Sequence, residues 1–204
     1  MATKLRYNTG EEIEEFTRQG KLILGIYNGF QALVNLGLLP GFDGDYHSRD
    51  VSLIYNDSGN FVDTWVNLKI EENTVCIFIK WINTLEAPVR HGEGKFYARR
   101  EIIDKLVEKN QVVFQYEDKD GTYAQGRGPL NPNGSLYVIA GICESTGRMF
   151  GIMPHPEAYN HYTNHPDWLL KREMLDREGK RIEREEGEGI AIFRNAVQCI
   201  RENL

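Results

Sequence analysis

Apolar and polar positions along the chain divide it into short segments of two kinds. Thr9 followed by Glu12 has the spacing of a capping box, and Glu11 and Glu12 suit the positive end of a helix dipole. Ile13 and Phe16 supply an apolar stripe and Gly20 a stop, so a helix is expected from Thr9 to Gly20. Residues Lys21 to Ile26 then form a continuous apolar run, the pattern of a strand covered on both faces. Asn28 to Leu36 reads as a second helix, closed by Gly37 and the Leu39-Pro40-Gly41 turn. Helix, strand, tight turn and helix in that order predict an α/β protein with a parallel sheet.

Further along, Phe61 to Ile70 alternates, with Val62, Val66, Leu68 and Ile70 on one face. Thr74 to Ile79 and Gln111 to Tyr116 read as strands, and Arg100 to Lys109 as a helix carrying Ile103, Leu106 and Val107. Leu136 to Ile142 and Arg148 to Met153 predict a strand pair turned at Ser145-Thr146-Gly147. Ile190 to Ile200 is an amphipathic helix, preceded by a polar insert from Ala158 to Glu188.

The length of 204 residues fits one domain spanning 1–204. With 24 basic and 30 acidic residues the chain carries a net charge of −6, which gives it no general attraction for nucleic acid. Apolar runs fall far short of the ~20 residues a membrane span needs, and Met1 to Gly10 lacks the apolar core of a signal peptide. Cys76, Cys143 and Cys199 form no CxxC pair. A reduced, soluble, cytoplasmic protein without membrane or nucleic-acid partners is expected.

Two constellations carry candidate chemistry. Gly25 and Gly29 flank Tyr27 at −2 and +2 between a buried strand and a helix, the spacing of a nucleophile elbow. Such a turn forces its central residue into a strained backbone region, and the helix from Asn28 aims free N–H groups at the same spot. The same spacing also reads as strand–helix packing, and a phenol is a poor nucleophile at neutral pH. In Met153-Pro154-His155-Pro156-Glu157, an extended chain points His155 and Glu157 the same way, an imidazole with a carboxylate to orient it. A structural His–Glu pair at a strand end is the alternative. His155, His161 and His165, with Glu157 and Asp167, raise a zinc reading that Pro166 disfavours, so no metal is expected. Lys171 to Glu188 reads as a solvated helix surface, and Gly92-Glu93-Gly94 is a weak phosphate signal.

An ordered series of stretches adds to this reading. Leu24-Gly-Ile-Tyr-Asn-Gly-Phe-Gln31, Leu36-Gly-Leu-Leu-Pro-Gly41, Asn56-Asp-Ser-Gly-Asn-Phe61 with Trp65-Val66, and Pro88-Val-Arg-His-Gly-Glu-Gly94 come first. Val113-Phe-Gln-Tyr116, Asn131-Pro-Asn-Gly134, Ile139-Ala-Gly-Ile142 and Met153-Pro-His-Pro-Glu157 follow. Together they resemble the class I glutamine amidotransferases, in particular the glutaminase subunits of phosphoribosylformylglycinamidine synthase in purine biosynthesis. The resemblance implies a three-layer α/β/α, flavodoxin-like fold with a mainly parallel central sheet. It implies glutamine as substrate, a synthetase subunit as partner, and no cofactor in this chain. In that family an elbow cysteine attacks the glutamine amide, a histidine acts as acid and base, and a glutamate orients it. Ammonia passes to the ATP-using synthetase subunit of the ligase complex. The resemblance carries these roles to position 27, His155 and Glu157, with Asn28 as an oxyanion donor and Gly29 and Gln31 lining the glutamine pocket.

The sequence departs from the family in two places. Tyr27 stands where the nucleophilic cysteine belongs. The family's two initial βα units, with a second oxyanion loop, have no counterpart before Met1, which leaves two accounts: a fragment or mis-started reading of a longer protein, or a short variant whose apolar edge at Lys21 to Ile26 is covered by self-association or by a partner. The expected function is an amidotransferase subunit whose glutaminase step is impaired by Tyr27. The alternatives are a non-catalytic scaffold that docks a synthetase and an unrelated His/Glu hydrolase.

Overall fold

The computed structural model describes residues 2–125, 128–181 and 185–203. Its central sheet has six strands: β1 (Ile23–Ile26), β3 (Val62–Ile70), β4 (Thr84–His91), β6 (Val112–Glu117), β7 (Ile139–Cys143) and β8 (Met149–Ile152). Their spatial order is β1-β8-β7-β6-β3-β4. Strands β2 (Val51–Ile54) and β5 (Lys95–Ala98) form a separate antiparallel ribbon.

Side chains alternate across the sheet, and helices cover both faces. On one side Phe30, Leu33 and Val34 of α2 (Asn28–Leu36) and Ile103 and Leu106 of α3 (Arg100–Glu108) pack on Val112, Ile139 and Met149. On the other, Ile192 of α5 (Ile190–Asn203) joins Phe78, Phe114, Phe150 and Ile152. Each such fully buried Leu, Ile or Phe contributes about 1.5–3 kcal/mol. Gly151 makes the contact with α2 close, because a Cβ there would lie 2.1 Å from Cδ2 of Phe30. The expected three-layer α/β arrangement is therefore present, and its core sits directly beneath the turn at Tyr27.

The sheet differs from expectation in strand direction. Among the described residues only β1 and β8 pair in parallel; β8–β7, β7–β6, β6–β3 and β3–β4 are antiparallel. The reason is connection length: a tight turn joins β7 to β8 and returns the chain antiparallel, whereas β1 and β8 are separated by most of the molecule. β1 lies at the sheet edge, with β8 as its strand partner among the described residues.

Local expectations also shift. Helix α1 (Ala2–Arg18) starts before Thr9, which instead marks a kink at φ −142°, ψ 20°. The Thr9 hydroxyl donates to the Leu5 carbonyl at 2.9 Å rather than capping, because Leu5 upstream is itself helical and packs on the core. Thr74 to Ile79 is not a strand: Ile77–Ile79 forms one 3₁₀ turn that buries Phe78 and Ile79. Leu136–Val138 is likewise a turn, with Tyr137 at φ 52°, and the strand begins at Ile139. β2, β4 and β5 were not expected. In β4, Pro88 interrupts the sequence pattern, yet an edge strand tolerates an imino acid, and Pro88 pairs with Trp65. The polar insert contains α4 (Trp168–Arg177), which buries none of its side chains.

Candidate active site

The strand-to-helix turn has the expected strain. Tyr27 sits at φ 49°, ψ −104°, between the last residue of β1 and the first of α2. Its N–H donates to the Ile152 carbonyl at 2.9 Å, and its own carbonyl accepts the first bond of α2, from Gln31 N–H at 3.0 Å. The two flanking glycines do different things. A Cβ at Gly25 would lie 2.6 Å from Leu33 Cδ1 and 2.8 Å from the Gly29 carbonyl, so only glycine fits under the helix. A Cβ at Gly29 would meet nothing within 4 Å. Asn28 and Gly29 open α2, where backbone N–H groups lack intrahelical acceptors and favour negative charge.

β8 delivers the second component. Past its end, the His155 N–H donates to the Pro88 carbonyl of β4 at 2.8 Å, which fixes the main chain. The His155 and Tyr27 rings lie 5.4 Å apart between centroids, inclined by 50°. Nδ1 of His155 is 2.6 Å from Glu157 Oε1. A carboxylate accepts, so Nδ1 carries the proton shared with Glu157, and in the neutral ring Nε2 is the acceptor. That Nε2 is buried and has no partner. The pairing is reached differently from expectation: Glu157 lies in the 3₁₀ turn Pro156–Ala158, not in an extended segment. Pro156 fixes the first position of that turn, which folds Glu157 back onto its own histidine.

A third wall was not foreseen. His91, the last residue of β4, is fully buried and stacks on Tyr27 at 6.3 Å between centroids, 23° from parallel. Burial pulls its pKa down to about 4, and nearby His155 acts in the same direction, so its ring is neutral. Asn56 holds the following turn, donating to the His91 carbonyl at 2.8 Å and accepting from Gly94 N–H at 3.1 Å. Gln31 ties that turn to α2 by donating to the Glu93 carbonyl at 2.8 Å. The signal for His91 was present in Pro88-Val-Arg-His-Gly-Glu-Gly94, but the facing of a strand whose pairing is unknown cannot be read from sequence.

Tyr27, Asn28, Gly29, Gln31, His155 and Glu157 thus come together, and His161 and His165 do not join them. His161 caps the turn Tyr162–Asn164. His165 is buried between Trp65 and Tyr159, with ring centroids at 4.7 and 5.7 Å, and its Nδ1 accepts from Asp167 N–H at 3.0 Å. Among the described residues no three His, Cys, Asp or Glu side chains converge on a metal position. Nor is any helix among them long and apolar enough to cross a membrane.

The chain is similar to several known proteins. Phosphoribosylformylglycinamidine synthase subunit PurQ of Methanococcus maripaludis is 43% identical over 197 residues, which cover 97% of this chain and 72% of that protein. The subunit of the same name from Dehalococcoides mccartyi is 42% identical over 202 residues, covering 99% of this chain and 72% of its own. Among solved structures, PurLQS from Thermotoga maritima superposes with a TM-score of 0.66 at 27% identity, covering 98% of this chain and 71% of the matched one. A glutamine amidotransferase from the same organism superposes at 0.50 and 19% identity, over 95% of this chain and 68% of its own, a likeness of fold. The family of the CobB/CobQ-like glutamine amidotransferase domain matches residues 1–200, and the chain belongs to it.

Proposed function

We propose that this chain is the glutaminase subunit of a phosphoribosylformylglycinamidine synthase, and that Tyr27 impairs its hydrolytic step. The names of its relatives support the reaction and the synthetase partner. The site supports the chemistry. In this reading glutamine lies along Gly29 and Gln31, with its amide carbonyl toward the Asn28 N–H and its reacting carbon above position 27. His155 takes a proton at Nε2 from the nucleophile and returns it to the departing ammonia, while Glu157 stabilises the charged ring. A thiol at position 27 would complete the sequence through a glutamyl thioester, which water then cleaves to glutamate. A phenol is bulkier and a weaker nucleophile at neutral pH.

The carrying observation is a single one. The side chain at the strained tip of the elbow is 5.4 Å from an imidazole whose outer nitrogen is buried and free and whose inner nitrogen is paired to a carboxylate. The test is glutamate release from glutamine by the chain with its synthetase subunit, before and after Tyr27→Cys. Negligible turnover is expected for the parent and a gain for the variant. Robust turnover by the parent would remove Tyr27 as the impairing residue.

Tyr27 also favours a second reading, a non-catalytic pseudo-amidotransferase that serves as a scaffold for the synthetase. No gain in the Tyr27→Cys variant, with complex formation intact, would select it. Both readings carry a cytoplasmic location, and the edge of β1 is the surface proposed for self-association. Sedimentation of the purified chain tests that last point.

A further inference from the structure

The end of β1 opposite Tyr27 opens on a cavity of about 430 Å³, between the C-terminus of α1, the start of β1 and the C-terminal half of α5. Three cations line it, Arg18, Lys21 and Arg148, and no Asp or Glu does. That is unusual for a chain with a net charge of −6. Its remaining walls are largely apolar, from Phe16, Leu22 and Ile200.

Two of these cations have no anionic partner. Arg18 pairs with Glu15 at 2.8 Å. Lys21 Nζ lies over the Phe16 ring, 5.3 Å from its centroid. Arg148 lies over the Gly20 turn, where a Cβ would be 3.7 Å from its guanidinium carbon. Among the described residues neither Lys21 nor Arg148 makes a side-chain ion pair or hydrogen bond. Capping of α1 does not account for them. Three of the last four carbonyls of α1 are taken by backbone, Glu15 by Gln19 N–H, Thr17 by Gly20 N–H and Phe16 by Lys21 N–H. Like charges brought together without a counter-ion repel, and a bound anion turns that cost into affinity.

We propose that this cavity is a binding site for a small phosphomonoester with an apolar or aromatic body. The unpaired Arg148 guanidinium and Lys21 ammonium match phosphate oxygens. The apolar walls and the volume suit the rest of a small metabolite. The site is separate from the glutaminase centre, and the paired strands β1 and β8 run from one to the other.

The test is calorimetric titration of the full chain with AMP, inorganic phosphate and adenosine. AMP binds at least about tenfold more tightly than inorganic phosphate, and adenosine does not bind. Added salt weakens AMP binding. Arg148→Ala and Lys21→Ala each weaken it by about tenfold or more. Both positions are solvent-exposed, so the variants keep the parental circular dichroism and unfolding midpoint. Arg172→Ala, on exposed α4, leaves binding unchanged. Absence of AMP binding overturns the proposal, as does equal binding of adenosine. Inorganic phosphate binding as tightly as AMP removes the apolar subsite, and AMP binding unaffected by both cavity substitutions places it elsewhere; either result also refutes the site as stated.

Discussion

His91 stacks on Tyr27 with its ring fully buried, and neither of its nitrogens finds a hydrogen-bond partner. A buried, unsatisfied imidazole is tolerated in its neutral form and strongly disfavoured when charged. The unfolded chain protonates this group near pH 6.5, the folded one only near 4. Between those values the unfolded state binds more protons, so stability rises with pH across this window and falls as the solution is acidified. About 3 kcal/mol of the stability present at neutral pH is lost on descending through pH 4. Urea titrations over this range, on the parent and on His91→Gln, measure it. A parental pH slope no steeper than that of the variant would contradict a neutral buried His91.

Gly25 and Gly29 separate a packing requirement from an open position. Gly25→Ala drives a methyl to 2.6 Å from Leu33 Cδ1 and is expected to destabilise by about 2–3 kcal/mol. Gly29→Ala meets nothing within 4 Å, and alanine favours the helix, so its stability is expected to match or exceed that of the parent by up to ~1 kcal/mol. Denaturant midpoints of the two variants should therefore move in opposite directions or differ widely. Equal losses would mean that both glycines are needed for packing.

Glu86 fastens the polar insert to the outer strand of the sheet. Its carboxylate contacts Lys171 and lies 3.3 Å from Nε2 of buried His165, while its own N–H donates to Glu188 Oε2 at 3.1 Å. Two residues on, Pro88 holds the His155 main chain. Glu86→Ala is expected to cost about 1–2 kcal/mol, since Lys171 is half exposed and His165 keeps its Asp167 bond. Hydrogen exchange in residues 161–178 should accelerate more than exchange in β6. Uniform acceleration across both segments would mean that Glu86 supports the core rather than the insert.

Cys76 and Cys143 are buried, and burial pushes the Cys76 thiol well above its ordinary range. Neither lies at the elbow. A thiol reagent is expected to leave both unmodified in the native protein and to reach them on denaturation. Rapid native labelling at Cys76, located by peptide mapping, would contradict that burial.

Much of the site was readable because its determinants are local. A buried apolar run, a glycine at −2 and an amphipathic segment ending in glycine place Tyr27 at a strained tip whatever surrounds it, and α2 runs from Asn28 to Leu36 as its pattern required. His155 and Glu157 are likewise close in sequence, although a 3₁₀ turn rather than an extended chain brings them together.

What was not readable depends on pairing between distant segments. The alternation in β3 indicates a buried face but not a neighbour. Only the sheet shows β3 between β6 and β4, and with it His91 carried to the face of Tyr27. Pro88 hid β4 because its lack of an N–H is compatible with a strand only at an edge, and edges are properties of a whole sheet.

The sequence by itself determined the elbow, the histidine with its carboxylate, and the α/β class, since each follows from backbone and side-chain preferences within a few residues. Tertiary structure alone decided the strand directions, the third wall at His91 and the gathering of unpartnered cations beside Leu22. Those arise where segments far apart in the chain compete for the same neighbours, and only burial of the shared core selects among the arrangements.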